Sequence, residues 1–227
     1  MGEVFGMKGY KLMMTSGKED YLKALYMISE EHEIVTNKEL CEMLQVSPPS
    51  VSEMIAKLQK DGYIDYTAYK GSRMTSKGLK EAGRLFRYHA LWEVFLVDKL
   101  HFSWSDAHER ADALEHQTNY ELAKRLDEFL GHPMHCPYGD PIPEEDGRRE
   151  GITHRVLSEA DVGEKTKIRR VVEDYRLMDY LQSKGIEAGM DIVVEAKEPY
   201  EGPVTISCKK GHISLSYKAA QQVFIND

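Results

Sequence analysis

The chain has 227 residues, of which 41% are hydrophobic and 30% charged, so it can form one to three small domains with apolar cores. Its 38 acidic and 30 basic side chains give a net charge of −8, which argues against a globally basic nucleic-acid binder but allows a local basic face. Three widely spaced cysteines exclude a disulfide framework and favour a reducing cytoplasm, and no apolar run approaches the roughly 18 residues of a membrane span.

The first part of the chain predicts three helices. The opening 14 residues have no clear periodicity, and we interpret them as a tag or a disordered arm. Helical spacing begins after Ser16, which together with Glu19 predicts a capping box at the start of a first helix. A second helix is predicted over Lys38–Leu44. Ser47 caps a third helix, which ends at Asp61-Gly62.

A hairpin follows these helices. Residues Tyr63–Thr67 and Arg73–Thr75 alternate like strands on either side of a predicted turn at Lys70-Gly71-Ser72. A helix, a helix–turn–helix and a hairpin in this order are typical of a winged helix-turn-helix. We therefore assign residues 15–84 to a winged helix-turn-helix DNA-binding domain.

The middle segment, residues 85–147, carries 13 acidic and 5 basic side chains, so the whole net charge falls here, together with six of the nine histidines. A segment that concentrates carboxylates and imidazoles either repels itself or binds cations. Its predicted helices lie at Lys77–Lys99, from Ser105 past His116, and at Tyr120–Leu130. The proline-rich stretch Pro133–Gly151 predicts a linker.

The last segment, residues 148–227, has a different periodicity and predicts a β-rich module the size of an SH3-like barrel. Its predicted strands are Lys167–Val172, Asp191–Glu195, Val204–Cys208 and His212–Ser216, with one helix at Asp174–Lys184. The predicted fold class is therefore mainly α with a β-rich C-terminal module.

The start of the third helix favours DNA binding. It presents small hydroxyls and free backbone N–H groups, which suit a major groove and its phosphates, and cations follow on the helix and the wing. The alternative is a winged helix that makes only protein contacts; the basic wing tip favours DNA. The candidate DNA-binding residues are Ser47, Pro49, Ser50, Ser52, Lys57, Lys60, Lys70 and Arg73.

A second group of residues favours metal binding. One helical stripe carries His108, Asp112, Glu115 and His116. Asp112, Glu115 and His116 can share one cation, while His108 faces a neighbouring position. His89 and Glu93 form an i, i+4 pair on the preceding helix. Either group alone is typical of a solvated helix face, but both within a segment of net charge −8 favour a metal site.

Four runs of residues resemble the diphtheria toxin repressor family, and most closely its manganese-responsive branch with a third domain. They are Glu19-Asp20-Tyr21-Leu22-Lys23-Ala24-Leu25-Tyr26, Ser47-Pro48-Pro49-Ser50-Val51-Ser52, Arg73-Met74-Thr75-Ser76-Lys77-Gly78 and Ala113-Leu114-Glu115-His116. The resemblance implies a homodimeric, metal-activated repressor that binds palindromic operator DNA and controls metal-uptake genes. It implies a helical dimerisation domain, an SH3-like (FeoA-like) third domain, and neither enzymatic activity, a small-molecule substrate nor a membrane partner.

The resemblance also implies two metal sites. The primary site would use Asp20, Asp112, Glu115 and His116. Carboxylates at Asp20 and Asp112, where the iron-responsive branch has sulfur ligands, favour Mn²⁺ over Fe²⁺. Lys23 replaces an extra glutamate of the two-domain manganese regulators, which counts against their binuclear arrangement.

The ancillary site implied by the resemblance comprises His89, Glu93 and His108, with an acceptor from the third domain. We assign that acceptor to Asp174, with Glu173 as the one-residue alternative. In a further version of the site, a cysteine matching Cys136 joins Glu93 with a histidine two residues later. This chain has Tyr138 at that later position, and His135 is a substitute. Judged without the family, Cys136 is either a soft ligand or a linker thiol.

Three other functions stay open at this point. The first is an Fe²⁺-responsive regulator of the same family. The second is a metalloenzyme, because carboxylates and histidines also form hydrolase sites; the winged helix and the absence of a substrate-cleft motif count against it. The third is a winged-helix regulator that senses a small organic ligand.

Overall fold

The computed structural model describes residues 15–30, 32–144, 146–149 and 153–226. The chain divides into two compact units between Ala82 and Gly83. The predicted tag or arm at residues 1–14 lies outside the described residues. None of the described helices combines the length and the apolar character that a membrane crossing requires.

The first unit is a winged helix-turn-helix. Its elements are α1 (Ser16–Ser29), α2 (Asn37–Leu44), α3 (Pro48–Lys60), β1 (Ile64–Thr67) and β2 (Gly71–Met74). Apolar side chains at helical spacing form its core, and Leu22, Leu40 and Leu58 from the three helices are completely buried. Burial of such side chains is the main stabilising contribution in a unit of this size.

Two helix starts differ from the prediction. Thr15 precedes α1 and makes no side-chain capping hydrogen bond, so the predicted capping box of Ser16 and Glu19 is wrong. Helix α5 begins one residue after Ser103, which caps it in place of Ser105, because the backbone stays extended only as far as Ser103 (φ −61°, ψ 161°). A complete capping box occurs instead at α2, where Thr36 and Glu39 exchange hydrogen bonds.

The wing formed by β1 and β2 is anchored near its tip. The backbone N–H of Val35 donates to the carbonyl oxygen of Ser72, and the N–H of Ser72 donates to that of Val35, both at 2.8 Å. A Cβ atom on Gly71 would lie 2.4 Å from the Val35 oxygen, so only glycine fits beside this bridge. The turn occupies residues 68–70, two residues earlier than predicted, because Gly71 and Ser72 already pair with β1.

The second unit combines helices with an antiparallel sheet. Helices α4 (Ser76–Asp98), α5 (Trp104–Glu115) and α6 (Tyr120–Leu130) come first along the chain, and the boundary between the units falls within α4, after Ala82. The sheet contains β3 (Lys165–Val171), β4 (Asp191–Lys197), β5 (Val204–Cys208), β6 (Gly211–Leu215) and β7 (Val223–Ile225), with α7 (Tyr175–Ser183) and α8 (Tyr217–Ala220) between strands. The strand order is β6-β5-β4-β3-β7, which gives the predicted SH3-like module. Strand β7 was missed in the sequence because it has only three residues.

The stretch predicted as a linker packs into the second unit where it is described. Cys136, Tyr138 and Ile142 belong to the hydrophobic core. The backbone N–H of Val171 on β3 donates to the carbonyl oxygen of Tyr138 at 3.0 Å. A Cβ atom on Gly139 would lie 1.9 Å from the Arg169 oxygen, so this glycine permits the close approach of loop and strand. The prolines therefore shape a packed loop and not a solvent-exposed spacer.

Candidate metal centre and DNA-binding surface

A cluster of buried titratable side chains lies between α4 and α5. His89 and Glu93 stand one turn apart on α4 and are 4% and 1% exposed, and Glu115 on α5 is 1% exposed. Charged side chains are almost never this deeply buried unless they are paired or bind an ion. The cluster is completed by His108 and Asp112, also from α5.

His89 is at the centre of this cluster. Its Nε2 atom lies 2.7 Å from Oε1 of Glu93 and 3.0 Å from Nδ1 of His108. Its Nδ1 atom lies 2.7 Å from Oε2 of Glu115 and 3.3 Å from Oδ1 of Asp112. The same imidazole therefore belongs to two possible ligand groups, one with Glu93 and His108 and one with Asp112 and Glu115. The sequence assigned His89 to the ancillary site only.

Charges and hydrogen bonds both act within this cluster. Burial alone would raise the pKa of Glu93, but the charges and hydrogen bonds of His89 and His108 hold that pKa below its usual value. Burial alone would lower the pKa of His108, but the hydrogen bond to Glu93 and the charge of Glu173 raise it. The lowered pKa favours the carboxylate form of Glu93 beside the two imidazoles, and a divalent cation would compete with protons for these three side chains.

The spacing of these ligand atoms fits a first-row divalent ion. Glu93 Oε1, His89 Nε2 and His108 Nδ1 lie 2.7–3.0 Å from one another. Neighbouring ligands of an octahedral ion with bonds of about 2.1 Å lie about 3 Å apart. Carboxylate oxygen and imidazole nitrogen are ligand types that Mn²⁺ and Fe²⁺ accept.

The other residues of the predicted primary site are placed as follows. Asp112 has a half-exposed side chain. His116 is the C-cap of α5, and its Nε2 atom lies 3.8 Å from Oε1 of Glu115. Asp20 lies on α1 in the first unit, so its place in the site stays a prediction.

The two candidates for the third-domain acceptor, Asp174 and Glu173, have different surroundings. Asp174 is exposed and caps α7, where Oδ1 accepts from the N–H of Leu177 at 2.9 Å. Glu173 instead lines a small cavity of about 10 Å³ together with Glu93, Cys136 and Asp140. The structure thus brings the one-residue alternative, and not Asp174, next to Glu93.

Two further residues of this region were not anticipated. The hydroxyl of the completely buried Tyr138 lies 3.1 Å from Nδ1 of His108, so this side chain orients the imidazole. Burial and the charge of Glu173 raise the pKa of Asp140 to about 7, although Arg170 opposes the shift. Burial likewise raises the pKa of the Cys136 thiol well above its usual value, which favours its protonated form.

The candidate DNA-binding hydroxyls lie at the exposed start of α3. Ser47 caps the helix, and its Oγ atom lies 2.9 Å from that of Ser50. Ser52 donates to the carbonyl oxygen of Pro48 at 3.0 Å. These residues and Pro49 are all exposed. The N–H of Ser50 donates to Oγ of Ser47, and Pro49 has no N–H, so the predicted free N–H groups are not found at these two residues. The exposed short side chains form the surface that a DNA groove can accept.

The candidate cations differ in their partners. Lys57 pairs with Glu53 one turn earlier on α3 at 2.7 Å, and Arg73 pairs with Glu33. Within the described part of the chain, Lys60 and Lys70 form no ion pair, and both are exposed. Lys60 and Lys70 are therefore the cations most available to phosphates.

Known proteins resemble this chain over nearly its whole length. Three family models match it: an iron-dependent repressor N-terminal DNA-binding domain at residues 13–72, an iron-dependent repressor metal-binding and dimerisation domain at residues 75–144, and a FeoA domain at residues 155–227. A solved manganese-dependent transcriptional repressor in complex with manganese is 31% identical, with a TM-score of 0.80 over 92% of this chain and 98% of that one. The chain belongs to the diphtheria toxin repressor family.

Other members of the diphtheria toxin repressor family match over different lengths. The diphtheria toxin repressor of Corynebacterium diphtheriae is 26% identical over 216 residues, which is 92% of each chain. The iron-dependent repressor IdeR of Mycobacterium leprae is 31% identical over 125 residues, and this match spans only about half of that relative, 54%. The family comprises metal-dependent transcriptional repressors and not enzymes, which argues against the metalloenzyme alternative.

Proposed function

We propose that this protein is a homodimeric transcriptional repressor that binds palindromic operator DNA when it is loaded with Mn²⁺. The observation that carries the proposal is the buried cluster of His89, Glu93 and Glu115 in a chain that also has a winged helix-turn-helix. The proposed targets are metal-uptake genes, and the proposed location of the protein is the cytoplasm.

The proposed mechanism is a linkage between metal binding and domain arrangement. Asp112 and Glu115 carry like charges close to one imidazole, and a divalent cation supplies the positive charge that neutralises them. We include Asp20 in the primary site. Because Asp20 belongs to the first unit, a shared ion ties the two units and fixes the spacing of the recognition helices. To convert a mostly incompetent dimer into a mostly competent one, the ion must favour the tied state by roughly 3–5 kcal/mol.

Mn²⁺ is the proposed metal because the primary set offers three carboxylates and one imidazole and no sulfur. Fe²⁺ is the second candidate, since the mycobacterial relative is named an iron-dependent repressor. The ancillary set, with His89, Glu93 and His108, suits either ion.

The proposed dimer reads DNA with α3 and the wing. Ser47, Pro49, Ser50 and Ser52 approach the major groove, while Lys57, Lys60, Lys70 and Arg73 meet the phosphates. No small-molecule substrate is needed for this activity.

The test begins with selection of bound duplexes from a random library in the presence of Mn²⁺. Affinities for the selected duplex are then measured by fluorescence anisotropy with Mn²⁺, Fe²⁺ without oxygen, Zn²⁺ and a chelator. We expect tight binding with Mn²⁺ and at least tenfold weaker binding in chelator. Equal affinity in all conditions, or no selected sequence, contradicts the proposal.

A further inference from the structure

Two tyrosines at hairpin tips are fully exposed to solvent. Tyr69 in the wing has a relative exposure of 105%, and Tyr200 between β4 and β5 has 102%. Both have left-handed backbone conformations, with φ of 65° and 57°. A bulky residue in this conformation costs free energy, and a ring surrounded by water recovers none of it within the fold.

The two tips differ in the charge around the ring. Tyr69 is followed by Lys70, and Arg73 lies on the adjacent strand β2. Tyr200 is next to Glu201 and two residues from Glu198. A polyanion is therefore attracted to the tip that carries Tyr69 and repelled by the tip that carries Tyr200.

The wing also holds its tip in a fixed position. Strands β1 and β2 pair from Ile64 to Met74 through four consecutive residue pairs, and the bridge between Val35 and Ser72 ties the hairpin to the chain before α2. Ser72 at this bridge is completely buried. A pre-organised tip loses little conformational entropy when it meets a partner, so most of the contact energy is retained as affinity.

We propose that Tyr69 packs its ring against a deoxyribose of bound DNA and donates its hydroxyl to the adjoining phosphate, next to a phosphate that Lys70 neutralises. The inference rests on the proposed DNA-binding function and adds a contact that composition and charge did not reveal. Sugar and phosphate contacts carry no sequence information, so Tyr69 strengthens binding to every duplex equally. A neutral ring releases no counterions, so its contribution is independent of salt, unlike that of Lys70.

The experiment compares Tyr69→Ala, Lys70→Ala and the matched control Tyr200→Ala in the full-length, Mn²⁺-loaded protein. Affinities for the selected operator and for a random duplex are measured over a series of salt concentrations. We expect Tyr69→Ala to weaken both affinities by about tenfold with an unchanged salt slope. Lys70→Ala removes one phosphate contact from each subunit of the proposed dimer, so it should flatten the slope by about 1.8. Tyr200→Ala should change neither quantity. The melting temperatures of all three variants should match that of the parent, because Tyr69, Lys70 and Tyr200 are all exposed.

The outcomes separate this inference from the proposed function. If the parent protein binds no duplex with Mn²⁺, the proposed function fails and the inference fails with it. If the parent binds and Tyr69→Ala binds as tightly, only the inference is overturned. A loss of operator affinity without loss of random-duplex affinity also overturns it, because that pattern indicates a base contact. An equal loss after Tyr200→Ala would show a non-specific effect of removing an exposed ring and would overturn it too.

Discussion

Substitution of Glu93 by glutamine tests whether the buried cluster stabilises the ion-free protein. Oε1 of Glu93 lies 2.7 Å from Nε2 of His89 and 2.7 Å from Nδ1 of His108. A hydrogen bond to a charged group contributes about 1.5–3 kcal/mol, and a neutral one about 1 kcal/mol. The amide keeps the shape of the carboxylate but retains only neutral hydrogen bonding. Each of the two bonds should lose about 0.5–2 kcal/mol, so we expect Glu93→Gln to lower the free energy of unfolding by about 1–4 kcal/mol.

The measurement is urea unfolding in chelator, followed by the fluorescence of the two tryptophans, Trp92 on α4 and Trp104 at the start of α5. With a urea slope of about 2 kcal/mol/M, in the middle of the typical range, the midpoint should fall by about 0.5–2 M. The matched control is Glu109→Gln on the exposed side of α5, which should change the free energy by less than about 0.5 kcal/mol. Equal midpoints for the two variants would refute the charged network.

The difference in the free energy of unfolding between the parent and Glu93→Gln should depend on pH. The pKa of Glu93 is lowered, so its stabilisation is present above the usual value of 4.5 and is lost as the pH falls through the folded pKa. The pKa of His108 is raised, so its stabilisation is complete below 6.5 and is lost as the pH rises through the folded pKa. The gap between the parent and Glu93→Gln should therefore be largest between about pH 5 and 6.5. A gap that grows steadily above pH 8 would contradict this assignment.

Three further predictions concern other residues. Glu115→Gln and His116→Ala should each weaken Mn²⁺ binding and abolish the DNA response while the dimer persists; unchanged Mn²⁺ affinity by calorimetry would remove both from the site. Asp112→Cys combined with Asp20→Met should raise the response to Fe²⁺ relative to Mn²⁺, and an unchanged ratio of activating concentrations would show that ligand hardness does not decide the metal. Burial and the charge of Glu173 raise the pKa of Asp140 to about 7, so in chelator the parent should lose stability as the pH rises from 4 to 7. Asp140→Asn should make the unfolding midpoint less dependent on pH over this range. Equal pH profiles of the parent and the variant would contradict the shifted pKa.

Much of the fold follows from local signals in the sequence. Ser47 and Pro48 mark the start of α3, and Gly131 in a left-handed conformation ends α6 where the sequence predicted it. Each of these signals depends only on a few residues that are adjacent in the sequence. The cap of α5 was misplaced because Ser103 and Ser105 are both suitable caps, and only the backbone conformation distinguishes them.

The candidate site was only partly predictable, because its decisive contacts join distant parts of the chain. The spacing of His108, Asp112 and Glu115 placed them on one helix. The position of His89 between two ligand groups depends on how α4 packs against α5, which no periodicity reveals. Similarly, Glu173 rather than Asp174 lines the cavity, because the start of α7 uses the Asp174 carboxylate as its cap.

Tyr138 contacts both the sheet and the candidate metal centre. Its hydroxyl approaches His108, its ring packs edge-on against Trp104, and its carbonyl oxygen accepts from Val171 on β3. Exchange of the C-terminal module for that of a relative would therefore change the surroundings of a proposed ligand, even if every ligand were kept. We therefore expect a chimaera of this kind to bind Mn²⁺ with a changed affinity, because Tyr138 orients the imidazole of His108.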